Sequence, residues 1–218
     1  MTWDTWTDWH NDLYNNSQSD IYKRNEIVKD FIVEYLQENN RDLNIISMCS
    51  GQARDILPTL VGNKNNNNVY LIDTEQECLD YAKKYAEENN IQNVHYLNED
   101  ATILTTYANL PKADLLIFCG AMAHVHNDVI GHIANSFKYI LKDGGEVIWS
   151  RHAYDNNYSI EFNQIYLDNG YESIRLHSRN MDPYFVCRHK SITPPDLDRI
   201  TEDRKSTRLN SSHITISY

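Results

Sequence analysis

The distribution of apolar residues divides the chain into alternating helices and strands. In segment 25–38, apolar residues recur every three or four positions, which is the spacing that places side chains on one face of a helix. These residues are Ile27, Val28, Phe31, Ile32, Tyr35 and Leu36. Short and almost continuous apolar runs follow at 43–49, 69–73, 94–98, 113–119 and 146–150. Such runs predict strands buried on both faces, as in a parallel sheet covered by helices.

Two of the predicted helices have recognisable starting signals. A helix is predicted to follow Gly51, and Pro58 within it predicts that this helix kinks or starts late, because proline lacks the N–H of a helix interior. Thr74 and Glu77 have the T-x-x-E spacing of a capping box, which predicts the start of a helix over 75–89.

Further helices are predicted near the middle and toward the end of the chain. One amphipathic helix follows residue 128, and its inward face contains Val129, Ile130, Ile133, Phe137, Ile140 and Leu141. The sequence KDGG at 142–145 predicts a turn into the strand at 146–150. A helix over 158–169 follows, and the Asn-rich segment 62–68 is expected to be a tolerant surface connection.

The pattern changes after residue 170. Segments 171–178 and 184–191 predict two strands joined by a short turn that contains Asp182 and Pro183, which is the spacing of an antiparallel hairpin. The order of elements therefore predicts an α/β fold: a doubly wound, Rossmann-like, seven-stranded sheet with a C-terminal antiparallel hairpin.

The chain is long enough for one such domain. We expect residues 1–40 to form an N-terminal helical arm, residues 41–192 the main domain and residues 193–218 a tail. Segment 203–218 is abruptly polar, Ser-rich and basic, and it resembles the translated read-through of a sequencing adapter. We expect this segment to be an artefact and draw no function from it.

Charge and cysteine content limit the partners and sites that this chain can be expected to have. The formal net charge of −11 disfavours nucleic acid as a partner, because most of the surface would repel a polyanion. The four cysteines are widely spaced and form no CxxC pair or metal-ligand cluster, so we expect reduced thiols in the cytoplasm and no metal. No apolar run approaches the roughly 20 residues of a membrane span.

Polar and small residues follow four successive predicted strands. In a doubly wound sheet, ligands bind beyond the carboxyl ends of the strands, so these residues are candidates for one binding site. They are Cys49, Ser50, Gly51, Gln52, Ala53, Arg54 and Asp55, then Asp73 and Thr74, then Asp100 and Ala101, and finally Cys119, Gly120 and Ala121.

Each candidate also has an ordinary structural explanation. Asp73 is suited to accept hydrogen bonds from nucleoside ribose hydroxyls, but an acid also stabilises a helix N-terminus. Asp100 is suited to accept from a base amino group, and it can equally be a turn residue. The loop 49–55 lets a ligand approach the backbone closely, and it can also be a simple strand-to-helix turn.

Together these segments resemble the class I S-adenosylmethionine-dependent methyltransferases over residues 1–191. More narrowly, they resemble a methyltransferase subgroup with a CSGQARD-like loop (49–55), a CG pair (119–120) and a WSRH strand end (149–152). The resemblance implies S-adenosylmethionine as cofactor, with the loop around its methionine end, Asp73 at the ribose, and Asp100 with Ala101 at the adenine.

The loop departs from the usual pattern of that family. Ser47 stands where an acid is usual, and Cys49 and Ala53 stand where glycines are usual. Asp55 is a candidate replacement for the missing acid.

The expected activity is methyl transfer to a small-molecule acceptor. His124, His126 and His152 are candidate general bases, because the imidazole pKa lies near neutrality. Arg151 is suited either to orient an acidic acceptor or to form a surface salt bridge. The aromatic arm, with Trp3, Trp6, Trp9, His10 and Tyr14, is either a lid or a packing helix. Two alternative functions are a non-catalytic adenosyl-ligand-binding module and a nicotinamide-dependent oxidoreductase.

Overall fold

Seven strands form one mixed sheet. The computed structural model describes residue 3 and residues 5–152, 157–179 and 182–196. Its strands are β1 (Asn44–Met48), β2 (Asn68–Asp73), β3 (Val94–Asn98), β4 (Ala113–Cys119), β5 (Leu141–His152), β6 (Tyr171–Ser178) and β7 (Tyr184–Ser191). The strand order is β3-β2-β1-β4-β5-β7-β6, in which β1 to β5 are parallel and β7 is antiparallel to both β5 and β6. The predicted fold class is confirmed, including the C-terminal hairpin.

Helices cover both faces of this sheet. They are α1 (Trp6–Asn15), α2 (Asp20–Glu38), α3 (Leu57–Leu60), α4 (Gln76–Glu88), α5 (Ile130–Ile140) and α6 (Asn157–Asp168). Short 3₁₀ turns occur at Leu104–Tyr107, Ala121–His124 and Asn127–Val129. Both α1 and α2 begin at capping side chains, since Thr5 accepts from the N–H of Asp8 and Ser19 accepts from the N–H of Tyr22.

Each face of the sheet packs its own hydrophobic core. On one face α5 and α6 pack through Phe137 and Phe162 around the fully buried Trp149. On the other face α2 and α4 cover the sheet through Phe31 and Leu79. Burial of one such side chain contributes roughly 1.5–3 kcal/mol, so the two cores fix the sheet that positions the candidate site.

Three local predictions are wrong. Thr74 does not cap α4, which begins at Gln76; the Asp73 carboxylate accepts from the N–H of Glu75 instead (2.9 Å). The Glu77 carboxylate accepts from the hydroxyl of Thr7 on α1 rather than returning to its own helix (3.2 Å). The capping box fails because the acid that ends β2 is already in place to satisfy a free N–H group.

The second difference is the KDGG segment at 142–145, which belongs to β5 rather than to a separate turn. Gly144 has a φ of +71°, and the β4–β5 register shifts beside it, so the irregularity is absorbed within the strand. The third difference concerns β3, which was predicted to be buried on both faces. It lies at the edge of the sheet and is only partly buried. The predicted late helix start near Pro58 is confirmed, because α3 begins only at Leu57.

The Asn-rich connection is also more ordered than expected. Asn67 is buried, and its side-chain oxygen accepts from the N–H of Leu43 (3.0 Å). The segment therefore joins the start of β1 to the start of β2. The proposed artefact at 203–218 lies outside the described residues.

Folding stability is expected to fall in mild acid because of His189. Its buried ring accepts from the Trp149 indole N–H (3.0 Å) and donates to the side-chain oxygen of Asn163 (3.0 Å). Burial lowers the pKa of His189 to about 4. The unfolded chain binds this proton near pH 6.5, so the free energy of unfolding should decrease by about 3 kcal/mol as pH falls from about 6.5 to about 4.

Urea unfolding of the wild type and of His189→Phe across this pH range measures the effect. The variant is less stable at neutral pH, because it leaves Trp149 and Asn163 without their partner, but it should lack this part of the pH dependence. Equal pH slopes in the two proteins would contradict the assignment.

Candidate functional site

The predicted site residues meet at one edge of the sheet. Cys49 follows β1, Asp73 ends β2, Asp100 follows β3 and Cys119 ends β4, and these four strands are neighbours in the order β3-β2-β1-β4. We call this the carboxyl edge. Burial, followed by the negative charges of Asp73 and Asp100, raises the pKa of the Cys49 thiol to about 12. Both aspartates are therefore close enough to Cys49 for their charges to act on its thiol, and we call this part of the carboxyl edge the hollow.

Asp73 organises the loop beside it. One carboxylate oxygen accepts from the backbone N–H of Gly51 (2.7 Å), and the other accepts from that of Glu75 (2.9 Å). The side chain is partly exposed. Each carboxylate oxygen can accept two hydrogen bonds, so Asp73 retains acceptor capacity toward the hollow while it holds the loop and the start of α4 together.

The loop 49–55 adopts an unusual backbone. Cys49, Gly51 and Ala53 have φ values of 49°, 50° and 51°, all in the left-handed region that favours glycine. The two positions at which the family resemblance expects glycine are thus positions at which the backbone still requires a glycine-like conformation. Cys49 and Ala53 occupy them at a cost on the order of 1 kcal/mol each.

Asp100 and Ala101 border an apolar crevice. One oxygen of Asp100 accepts from both the N–H (2.8 Å) and the hydroxyl (2.6 Å) of Thr102, and the Tyr107 hydroxyl donates to the carbonyl of Ala101 (2.7 Å). The crevice is lined by Met48, Cys49, Ala101, Thr102, Phe118, Ile133 and Phe137. The crevice would present apolar surface to a flat heterocycle, and Asp100, which precedes Ala101, would offer an acceptor to its amino group.

The end of β4 continues the same edge. Cys119 is partly buried and Gly120 has a φ of +95°, followed by the 3₁₀ turn that begins at Ala121. A side chain at Gly120 would lie 3.4 Å from Nη2 of Arg24, so the absence of a Cβ leaves this guanidinium beside the backbone. Burial, then the charge of Asp55, raises the pKa of the Cys119 thiol to about 12, which keeps the thiol protonated.

The three candidate histidines differ in their surroundings. The side chain of His124 lies outside the described residues, and His126 is exposed. His152 ends β5 and is partly buried. Burial, then the positive charge of Arg24, lowers the pKa of His152, so its imidazole is uncharged near neutral pH.

Arg151 precedes His152 on β5, and its side chain extends from the other face of the strand. Its guanidinium lies 4.6 Å from the centre of the Phe162 ring and donates to the side-chain oxygen of Asn127 (2.8 Å). Nη1 is buried without a hydrogen-bond partner. In the described part of the chain Arg151 contacts an aromatic ring and an amide, and no salt bridge of its side chain is found there.

Two predicted loop residues hold the N-terminal helix. Arg54 donates to the side-chain oxygens of Asn11 (2.7 Å) and Asn15 (2.9 Å), both on α1, and lies over the rings of Tyr14 and Tyr81. Gln52 accepts from Nε of Arg54 (2.7 Å). The side chain of Arg54 is therefore directed at α1 rather than at the hollow.

Asp55 contacts its own backbone neighbour and acts by charge on α1 and on the end of β4. Its carboxylate accepts from the N–H of Ile56 (2.8 Å), and its charge acts on Tyr14 and Cys119. Burial raises the pKa of Asp55 above its ordinary value.

His10 covers the loop; the sequence analysis placed it in the aromatic arm but not among the site residues. Its Nδ1 donates to the carbonyl of Trp6 (2.8 Å), which leaves Nε2 as an acceptor. Nε2 would lie 2.6 Å from a Cβ added at Gly51. Burial lowers the pKa of His10, so the ring is neutral. Only a residue without a side chain fits beneath it, which gives Gly51 a second reason to be glycine.

Arg24 is the other residue that the site prediction omitted. It is 5% exposed and lies on the inward face of α2, one turn before Val28. The sequence does contain a signal for Arg24. This charged residue continues the helical spacing of the apolar residues Val28, Phe31 and Ile32. A charge within the buried stripe of an amphipathic helix indicates a special role.

Comparison with known proteins agrees with this geometry. The family model described as "Methyltransferase domain" matches residues 45–145. No curated protein sequence matches the chain. Among the described helices, none combines the length and apolar character that a membrane crossing requires.

Solved structures share the fold. The chain is similar to magnesium protoporphyrin IX methyltransferase from Synechocystis PCC 6803 with bound S-adenosylmethionine, with a TM-score of 0.63 and 17% identity over 84% of this chain and 89% of that one. It is also similar to an S-adenosylmethionine-dependent methyltransferase from Clostridium acetobutylicum, with a TM-score of 0.57 and 14% identity over 75% and 90%. At such low identity these similarities establish the fold alone.

The family match favours methyl transfer over the nicotinamide-dependent alternative. The matched segment contains β1 to β4 and the start of β5, so it includes every strand that reaches the hollow at the carboxyl edge. The nicotinamide-dependent oxidoreductase is not supported, since the matching domain is a methyltransferase domain. Residues 45–145 thus match a methyltransferase domain, and the seven-stranded sheet with its antiparallel β7 has the class I methyltransferase fold.

Proposed function

We propose that this protein transfers the methyl group of S-adenosylmethionine to a small-molecule acceptor at the carboxyl edge. The observation that carries the proposal is the meeting of Asp73, Asp100 and Cys49 in the hollow, at the carboxyl ends of three neighbouring strands. A carboxylate for ribose hydroxyls and an apolar crevice for a heterocycle meet there, which is the arrangement a nucleoside requires.

The residues present fit this cofactor. The crevice lacks polar lining atoms apart from Thr102 and the backbone, as suits the faces of an adenine ring, and Asp100 is available for its amino group. Asp73 has acceptor capacity for the ribose hydroxyls. The loop 49–55 and Gly120 let the backbone approach the methionine portion closely. When bound, the cofactor supplies a methyl group already activated on a sulfonium.

The protein's part in the reaction is to position the acceptor and manage its proton. Holding the acceptor in line with the methyl group can supply roughly 7–11 kcal/mol of the barrier. We assign His152 as the favoured general base among the three histidines, because burial and Arg24 lower its pKa and keep the ring ready to accept a proton. His126, exposed on the loop after β4, and His124 are the remaining candidates.

Charge supports a small acceptor rather than a nucleic acid. The net charge is −11, which opposes the approach of a polyanion. Arg151 is placed to orient an acidic acceptor, since Nη1 is buried without a partner. A cytoplasmic location is proposed as well, and the four free thiols support it.

The N-terminal arm is proposed to act as a lid. Helix α1 places His10 over Gly51, and Arg54 and Glu77 fasten it to the loop and to α4 through Asn11 and Thr7. Trp9 lies against His10, with ring centres 5.0 Å apart. Entry of the cofactor between the loop and this helix should therefore change the surroundings of Trp9.

Calorimetric titration with S-adenosylmethionine, S-adenosylhomocysteine and NAD tests the cofactor site. We expect the two adenosyl ligands to bind and NAD not to bind. Tryptophan fluorescence recorded in the same titration tests the lid: the change should disappear in the Trp6→Phe/Trp9→Phe variant. A signal that survives in that variant would contradict the lid.

Incubation with methyl-labelled cofactor and a metabolite extract tests the reaction. Label is expected in the small-molecule fraction, and label confined to nucleic acid or protein would contradict a small acceptor. His152→Gln should lower transfer about 100-fold while affinity for S-adenosylhomocysteine changes little. Tight cofactor binding without transfer to any fraction would instead favour a non-catalytic module.

A further inference from the structure

Arg24 carries a buried positive charge that forms no ion pair with the described residues. The side chain is 5% exposed, on the same face of α2 as the fully buried Phe31 and Ile32. Burial of an ionised guanidinium costs several kcal/mol unless a counter-charge and hydrogen bonds compensate it. Arginine also keeps its proton in proteins, so it cannot escape this cost by becoming neutral.

The described part of the chain offers no ion-pair partner for this charge. No carboxylate there lies within 4.0 Å of the Arg24 guanidinium, and Nε is buried without a hydrogen-bond partner. Asp20, one helical turn earlier, lies 3.9 Å from Lys23 instead. Asp55 is near enough for its charge to act on Arg24, but its carboxylate accepts from the N–H of Ile56, and burial raises its pKa.

The guanidinium is directed at the carboxyl edge. Nη2 lies beside Gly120, directly after β4, and the charge of Arg24 acts on His152 at the end of β5. The Arg24 side chain is also hydrogen-bonded to the Tyr14 hydroxyl of α1, which leaves its positive charge without a carboxylate partner in the described part of the chain. Arg24 is therefore enclosed by α1, α2 and the ends of β4 and β5. It lies beside the backbone that would support the methionine portion of the cofactor.

The elements on the two faces of the sheet indicate which end of the cofactor would lie near Arg24. The apolar crevice is lined by Ile133 and Phe137 of α5, so the adenine would lie on the α5 side. Asp73 ends β2 and would hold the ribose at the edge itself. The other end of the ligand is then directed along the loop toward α2, which packs on the opposite face and carries Arg24.

We propose that Arg24 binds the α-carboxylate of the methionine portion of S-adenosylmethionine, an assignment that rests on the proposed cofactor site. The planar guanidinium donates two parallel hydrogen bonds to a carboxylate, which gives orientation as well as affinity. The carboxylate would supply the counter-charge that no described carboxylate supplies to Arg24. Binding at this point would hold the amino-acid end of the cofactor in one orientation.

A pair of ligands separates this role from the nucleoside site. S-adenosylhomocysteine carries the α-carboxylate, and 5′-methylthioadenosine lacks the amino-acid portion. Calorimetry should show that Arg24→Met lowers the affinity for S-adenosylhomocysteine by about 10- to 100-fold and leaves the affinity for 5′-methylthioadenosine unchanged, since a hydrogen bond to a charged group contributes at this level. Arg24→Lys, which retains the charge without the fork, should give an intermediate loss.

Lys23→Met is the matched control, because Lys23 precedes Arg24 on the same helix and its side chain is 46% exposed. It removes one positive charge without changing the hollow and should leave both affinities unaltered. A thermal melt of the ligand-free protein provides a second measurement. Arg24→Met should melt at the same or a higher temperature than the wild type, because it removes a buried charge that has no carboxylate partner in the described part of the chain, whereas a merely structural arginine would lower the melting temperature.

The outcomes are distinct. An unchanged ratio of the two affinities in Arg24→Met, with 5′-methylthioadenosine still bound, would overturn the assignment of Arg24 and leave the nucleoside site intact. Equal losses for both ligands would also overturn it, because they would indicate damage to the whole hollow. Failure of the wild type to bind either ligand would instead refute the proposed cofactor site.

Discussion

Replacement of Asp73 by alanine is expected to lower the affinity for 5′-methylthioadenosine by about 100-fold or more. The carboxylate would accept from the ribose hydroxyls, and it also accepts from the backbone N–H groups of Gly51 and Glu75. Each hydrogen bond to a charged group contributes about 1.5–3 kcal/mol, so loss of two toward the ribose accounts for this change. Calorimetric titration of wild type and variant measures it.

The dual role of Asp73 requires a measurement that separates binding from support of the loop. Loss of the contact to Gly51 alone could weaken binding by disordering the loop. A 2′-deoxy analogue of 5′-methylthioadenosine resolves the two effects. The wild type should bind it more weakly than the parent ligand, whereas Asp73→Ala should bind the two ligands equally, because the acceptor of the missing hydroxyl is already absent.

Asp80→Ala is the matched control for this variant. Asp80 is exposed on α4 and accepts from the side-chain amide of Gln76 (2.8 Å), so its removal deletes a carboxylate near the site without touching the hollow. Affinity for both ligands should be unchanged. An Asp73→Ala protein that folds and still distinguishes the 2′-deoxy analogue would show that another group holds the ribose.

The strands were the part of the fold that local pattern predicted best. The bounds of β6 and β7 agree with the predicted segments, because both strands are short and bordered by turn residues. The parallel strands were visible as apolar runs, since burial on both faces requires them. The edge strand β3 was recognised for the same reason, although it is only partly buried.

Predictions from the sequence failed in two situations. In one, two groups compete for the same hydrogen-bond partner; in the other, contacts join segments that are distant in the sequence. Thr74 had the correct spacing for a cap, but Asp73 reaches the N–H of Glu75 first. His10 and Arg24 are far from the loop in sequence, and only the packing of α1 and α2 brings them to the carboxyl edge. The acids at the strand ends were predictable because their position follows from the strand pattern itself.

Replacement of Arg188 by alanine is expected to lower the free energy of unfolding by about 3–5 kcal/mol. Arg188 lies on β7 and is 1% exposed. Its guanidinium donates to Glu146 on β5 (2.6 Å) and to Glu34 (3.4 Å) and Glu38 on α2, and it lies 5.1 Å from the centre of the Tyr35 ring. Removal of one partner from a buried pair leaves Glu146 without a counter-charge, which is the costly case.

Urea unfolding measures this loss, and Lys84→Ala is the matched control. Lys84 and Glu88 form an ion pair on α4 (3.9 Å) whose side chains are 75% and 62% exposed, so its removal should cost less than about 1 kcal/mol. Similar losses in the two variants would show that the Arg188 cluster is no more important than a surface pair.

A second variant distinguishes a missing charge from missing packing. In Arg188→Met/Glu146→Gln the buried carboxylate is neutralised and the side-chain volume is largely retained, so much of the lost stability should return. The cluster joins α2 to β5 and β7, and α2 also carries Arg24. Arg188→Ala should therefore weaken S-adenosylhomocysteine binding more than 5′-methylthioadenosine binding, since a displaced α2 moves Arg24 but leaves Asp73 in place.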